Sequence, residues 1–321
     1  MVKLLNRLYQ NSKQIYNNNN KIKKGSSLLK QRILTAVILA PAVVMAIFYL
    51  PLNYFAGFLL AVMAIGAWEW GPLMGFTSNT RRSIFVACTS LLIVILWYCL
   101  TLNSLWLNAD GLEGVLLSHP LVNLILWLAV AWWILSAMLT LLYPRYSKFW
   151  SSHRSIRGVF GWLTLIPTWL AFVMLRSSDF GFDPHHGSQL IMFLFLMVWS
   201  ADVGAYFVGK AIGKRKLLPN VSPGKTLEGF IGGVLSACVL VSITGLIIGW
   251  NSQQFITVLL VTGLISTVSV LGDLNESMFK RQAGVKDSGT ILPGHGGILD
   301  RIDSLTATAP IYALCYILIG W

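Results

Sequence analysis

A helix that crosses a bilayer needs about 20 consecutive, mostly apolar residues, and nine stretches of this chain approach that length. They lie at 33–50, 54–70, 84–102, 121–142, 158–175, 190–208, 229–250, 254–272 and 305–321. Inside a membrane no water satisfies the backbone, so each stretch must close its hydrogen bonds within itself. The expected fold is all-α: a polytopic transmembrane helical protein with about nine membrane-spanning helices. Hydrophobic residues at 55% and charged residues at 11% exclude a soluble core for 321 residues.

Lys and Arg give the orientation, because cytoplasmic loops hold an excess of them. With the N-terminus inside, every Lys and Arg except Arg176 falls on the inner side, on the tail 1–32 or in loops 71–83, 143–157, 209–228 and 272–304. The outer loops, 103–120 and 176–189, hold Asp110, Glu113, Asp179 and Asp183. An odd number of spans then predicts N-in, C-out. The net charge of +12 is first a topology signal. Binding of nucleic acid would need basic residues gathered on one face with aromatics among them, and here they are dispersed. Cys88, Cys99, Cys238 and Cys315 lie in apolar stretches without metal or redox spacing and read as packing residues. Residues 1–32, rich in Lys and Asn, are expected to form a disordered cytoplasmic tail that touches anionic lipid. The first apolar stretch reads as a retained anchor rather than a signal peptide.

Residues 33–321 read as one integral membrane domain, with 33–188 a helical scaffold and 189–321 carrying the catalytic helices and loops. In the front half Glu69, between Trp68 and Trp70, reads as a snorkelling acid in an interfacial aromatic belt. Past residue 190 come Asp202, Glu228, Asp273, Glu276, Asp287, Asp300 and Asp303. Asp202 follows an apolar run, where a carboxylate costs roughly 2.5–3.5 kcal/mol, so a cation or donors must stand nearby. It serves either a helix-packing hydrogen bond beside Ser200, Ala201 and Gly204 or a functional site. Gly224-Lys225-Thr226 is not a Walker A loop, because Pro219 stands where the first glycine belongs. The spacing leaves a Ser222-Pro223-Gly224 turn that presents N–H groups and Lys225 ahead of a helix, either as a phosphate grip or as a positive-inside anchor.

The segment 277–304 is the most polar. Asp273, Glu276 or Ser277, Lys280 and Arg281 recur at helical spacings of three and four and share one face. Asp300 and Asp303, flanking Arg301, open the last apolar stretch and can face one point at a helix N-terminus. Between them and Lys286-Asp287 lies the glycine turn Pro293 to Gly297. Acidic helix ends around such a turn suit magnesium and phosphate. His295, between Gly294 and Gly296, is either a phosphate ligand or an ordinary loop histidine.

These residues resemble the phosphatidate cytidylyltransferases, also called CDP-diacylglycerol synthases, of the bacterial inner-membrane type. The family's signature is matched by Ser277, Lys280, Arg281, Lys286, Asp287, Pro293 to Gly297, Asp300, Arg301 and Asp303. The likeness extends over Asp202 to Gly209, Ser222 to Gly233 and Gly272 to Glu276, and more loosely over Ala67 to Phe76; residues 1–32 depart from it. It implies transfer of CMP from CTP to phosphatidic acid, giving CDP-diacylglycerol and pyrophosphate, with the active site facing the cytoplasm. It also implies Mg2+, with a second metal ion, on Asp273, Asp300 and Asp303, joined by Asp202 and Glu276, and a homodimer. Substrate would be held by Ser222, Lys225, Lys280, Arg281, Lys286, Asp287, Gly294, His295, Gly296, Gly297 and Arg301. Catalysis would rest on Asp273, Lys280, Asp300 and Asp303. Two alternatives stay open: a CTP-dependent polyprenol or dolichol kinase, and, outside enzymes, an ion-coupled transporter.

Overall fold

A computed structural model of the chain describes residues 31, 34–35, 37–100, 120–178, 183–292, 294 and 296–319. The expectations for the tail 1–30, for loop 103–119 and for Asp179, Pro293 and His295 fall outside that range. The helices are α1 (Val37–Tyr49), α2 (Leu52–Leu73), α3 (Asn79–Cys99), α4 (Pro120–Leu142), α5 (Ser147–Ser151), α6 (Arg154–Ser177), α7 (His186–Ile212), α8 (Leu227–Ile248), α9 (Ser252–Ala283) and α10 (Leu299–Ile319). Strands β1 (Lys216–Leu218) and β2 (Ser222–Thr226) join α7 to α8. The chain is an all-α integral membrane protein. Among the described residues eight helices are long and apolar enough to span, and α1, at the first expected stretch, is shorter. Pro51 accounts for its end: the residue before a proline is disfavoured in helical geometry, and Pro51 itself is the N-cap of α2.

The most buried span is α6, which touches α2, α3, α4, α7 and α10. Packing in lipid gains little from apolar burial, so small residues and polar bonds join the helices. Trp132 Nε1 donates to Thr164 Oγ1 at 3.1 Å, Thr168 Oγ1 to the Thr306 carbonyl at 3.1 Å and Trp169 Nε1 to the Ala56 carbonyl at 3.0 Å. The pair α7–α8 meets backbone to backbone. A Cβ on Gly233 would stand 2.6 Å from the Ala201 carbonyl oxygen, and one on Gly229 would stand 2.9 Å from that of Ala205.

At the expected Ser222-Pro223-Gly224 turn the structure differs: these residues form β2, antiparallel to β1, with Lys216 opposite Thr226 and Leu218 opposite Ser222. The turn sits earlier, at Leu218-Pro219-Asn220-Val221, closed by Val221 N–H to the Leu218 carbonyl at 3.1 Å. Proline at the second position of a turn explains the shift. Thr226 then caps α8, its Oγ1 accepting from Gly229 N–H at 3.1 Å.

Helix α9 runs past its expected apolar end at 272 as far as Ala283. A capping box of Asn251 and Gln254 opens it, and Gly284, at φ +70°, closes it in the left-handed conformation. Its polar last turns are held by rings: Phe279 lies 5.1 Å from Trp70 and 5.1 Å from Trp150, centroid to centroid. Glycine also sets the crossing of α9 and α10, since a Cβ on Gly272 would stand 2.6 Å from the Asp303 carbonyl oxygen.

Candidate active site

Two groups of charged side chains meet at one end of the bundle. The first surrounds a cavity of about 410 Å³ between α7, α8, α9 and the hairpin, lined by Asp202, Tyr206, Lys210, Lys225 and Asp273 among others. Lys225 forms an ion pair with Asp273, and Asp202 is within reach of both charges. The cation that Asp202 requires is therefore Lys225, brought there by β2. Gly224 also lines the cavity, while Ser222 stands further along the strand and does not.

The second group is built on Lys280. Its Nζ donates to Glu276 Oε2 at 2.8 Å, one turn back on α9, and to Asp300 Oδ1 at 2.7 Å on α10. All three side chains are nearly buried. Asp300 also accepts from Ser288 N–H at 3.0 Å and from Gly297 N–H at 2.8 Å. Helix position and loop thus fix its carboxylate together. The Gly297 amide, expected to face a substrate oxyanion, is instead donated to Asp300. Gly294 and Gly296 hold φ of +74° and +85°, the left-handed region that suits glycine, and Leu292 N–H closes the turn on the Gly296 carbonyl at 2.9 Å.

Asp303 connects the groups, lying within electrostatic reach of Asp273 and Glu276, and one of its oxygens accepts from Ser304 N–H at 2.8 Å. Glu276 Oε1 is buried and receives no hydrogen bond from an N–H or O–H donor among the described residues, with the Asp303 carboxyl beside Glu276. Among the described residues no three Asp, Glu, His or Cys side chains stand together as a ready metal cage. Arg281 donates from Nε to the Val221 carbonyl at 3.3 Å and ties the hairpin to α9. Lys286, Asp287 and Arg301 are exposed.

Glu69 is a correction. It does not snorkel in an aromatic belt: it is 1% exposed. Its carboxylate accepts from Leu299 N–H at 2.7 Å, Ile298 N–H at 3.1 Å and Ser288 Oγ–H at 3.4 Å. It therefore caps α10 from the far half of the chain. Gly289 and Gly297 admit it, since a Cβ on either would lie 2.7 Å from Glu69 Cδ. Arg82, 3.9 Å over the Trp68 ring and donating to the Trp68 carbonyl at 2.9 Å, supplies a nearby positive charge. The signal in the sequence was the one acid within the apolar stretches of the scaffold half, together with Gly289 outside the glycine turn.

Residues 30–319 match the model of the cytidylyltransferase family. Over 304 residues the chain is 41% identical to the phosphatidate cytidylyltransferase of Haemophilus influenzae, covering 90% of this chain and 99% of that one. The Pseudomonas aeruginosa protein of the same name is 40% identical over 294 residues, covering 92% and 99%. The Bacillus subtilis one is 45% identical over 155 residues, 47% of this chain and 55% of its own. With nearly its whole length matched, and the charged residues of its signature gathered at one end of the bundle, the chain belongs to the cytidylyltransferase family.

Proposed function

We propose that the protein is a phosphatidate cytidylyltransferase of a bacterial inner membrane, its active site facing the cytoplasm. A phosphate oxygen of phosphatidic acid attacks the α-phosphorus of CTP. The new P–O bond gives CDP-diacylglycerol as the bond to pyrophosphate breaks. The observation that carries this reading is the gathering of Lys225, Asp202 and Asp273 around a cavity between membrane helices, with Asp303 linking them to the adjoining cluster of Lys280, Glu276 and Asp300. The attacking oxygen is already ionised near neutral pH, so no side chain need remove a proton. The task left to the protein is to neutralise two polyanions and to align them.

Mg2+ suits this donor set. Glu276 Oε1 is buried without a donor, Asp303 faces the charges of Asp273 and Glu276, and lysine ammoniums already lie against Asp273 and Asp300. Asp273, Asp300 and Asp303, with Asp202 and Glu276 beside them, would hold it and a second ion. When bound, it would supply charge for the triphosphate and the departing pyrophosphate. Lys225 and Lys280 would then exchange carboxylate for phosphate oxygens, and the exposed Lys286 and Arg301 would receive the incoming anions. The family resemblance further implies a homodimer, which light scattering in detergent would test.

The deciding experiment incubates purified protein with phosphatidate and CTP labelled at the α- or γ-phosphate, with and without Mg2+. Label from the α position should enter lipid and γ label should leave as pyrophosphate. Transfer of γ label to a polyprenol would establish the kinase instead, and nucleotide-independent ion flux in liposomes would establish a transporter.

A further inference from the structure

We infer that Glu69 is a positioning residue for the reaction, a buried carboxylate from the scaffold half that sets the geometry of Asp300 and, through it, of Lys280. This rests on the cytidylyltransferase reading of the site. The connection is continuous. Glu69 holds Ser288 by its hydroxyl and Ile298 and Leu299 by their amides. Ser288 and Gly297, the residues at the two ends of the loop so held, give their own amides to Asp300, and Asp300 holds Lys280 Nζ. Two of the three groups that bond Asp300, the amides of Ser288 and Gly297, thus belong to a loop held by one side chain from α2.

An ordinary core acid would not need this arrangement. Any N-cap residue local to α10 could satisfy the amides of Ile298 and Leu299. Reaching across from α2 links the 288–299 loop to the rigid layer of Trp70, Phe160, Trp150 and Phe279, which also backs the Lys280 turn of α9. Lysine and its acid partner are therefore referenced to the same support. A displacement of about 1 Å in such a pair costs on the order of 10²-fold in rate.

The test compares wild type with Glu69→Gln and Ser288→Ala in detergent. It measures kcat, KM for CTP, thermal unfolding and hydrogen exchange of peptides covering 286–300. Glu69→Gln keeps the shape but turns an N–H donor toward the amides of α10. The expected result is a kcat lowered about 10- to 100-fold, KM for CTP within about twofold, and faster exchange confined to 286–300. Ser288→Ala, which removes only the longest contact, should show the same pattern at a few-fold loss, and it carries the test if Glu69→Gln does not fold. Wild-type kcat in a folded Glu69→Gln protein, or lost kcat with unchanged exchange over 286–300, overturns the assignment. If the wild type makes no CDP-diacylglycerol, the functional reading fails separately, and the exchange result still reports on the loop.

Discussion

Gly272→Ala tests whether helix spacing at the site is set by a single missing methyl group. Gly272 precedes Asp273 on α9 and faces α10 where Asp303 begins its second turn. An added Cβ would lie 2.6 Å from the Asp303 carbonyl oxygen, 2.9 Å from Ala307 Cβ and 3.1 Å from Ser304 Cα. None of these atoms can turn aside by a change of rotamer. Ordinary contact between carbon atoms is about 3.5–4.0 Å, so the helices must separate by roughly 0.5–1 Å. Overpacking of this kind costs about 1–3 kcal/mol. The same shift moves Asp273 away from Asp303 and should lower kcat/KM by about 10²-fold. Gly263, on the same helix, has nothing within 4 Å of a Cβ, and Gly263→Ala should be neutral or stabilising by about 0.5–1 kcal/mol. The assay is CDP-diacylglycerol formation alongside thermal unfolding in detergent. Gly272→Ala activity within twofold of wild type, or equal damage from Gly263→Ala, would refute the argument.

Asp300→Asn removes the charge that holds Lys280 and turns an amide toward Gly297 N–H. Turnover should fall at least ~10²-fold while the protein still elutes as a folded species; normal turnover would remove Asp300 from the site. Lys280→Ala strips the cation from two nearly buried acids, and breaking such a pair costs about 3–5 kcal/mol, so thermal stability and kcat should fall together. Unchanged stability would mean that the carboxylates are solvated or neutral. Lys225→Ala leaves Asp202 and Asp273 facing each other across the cavity, and KM for CTP should rise by about tenfold through lost binding of one charge. Chelation of divalent ions should abolish turnover, and Mg2+ at ~100 times its dissociation constant should stabilise the folded protein by about 2.7 kcal/mol. A melting temperature indifferent to Mg2+ would argue against the carboxylate site.

The helical architecture was legible because each span repeats one physical demand, enough apolar residues to cross a bilayer, and among the described residues eight of the nine expected stretches are helices of spanning length. The face carrying Asp273, Glu276 and Lys280 was legible too, since spacing along one helix is a local property. What the sequence concealed were partnerships between distant segments. Nothing in the spacing of Lys225 announces Asp273 as its partner, and the hairpin that brings it there depends on Pro219 taking the turn from Pro223. Glu69 is the extreme case. A lone acid between tryptophans at a helix end has a ready local explanation at the lipid interface, and only the packing of α2 against the 288–299 loop overturns it.

That error also bears on how the chain divides. Composition suggests a passive front half and a working back half, because seven of the twelve acids lie beyond residue 190. Yet the buried carboxylate that caps α10 comes from α2, and the rings behind Lys280 come from α2, α5 and α6. A carboxylate placed in lipid without partners would be costly, so Glu69 is stable only once the loop amides of the back half have reached it, and among the described residues those amides have Glu69 as their acceptor. The two halves therefore complete one another's hydrogen bonds. A fragment lacking α2 should lose the 288–300 geometry even if α7 to α10 insert normally.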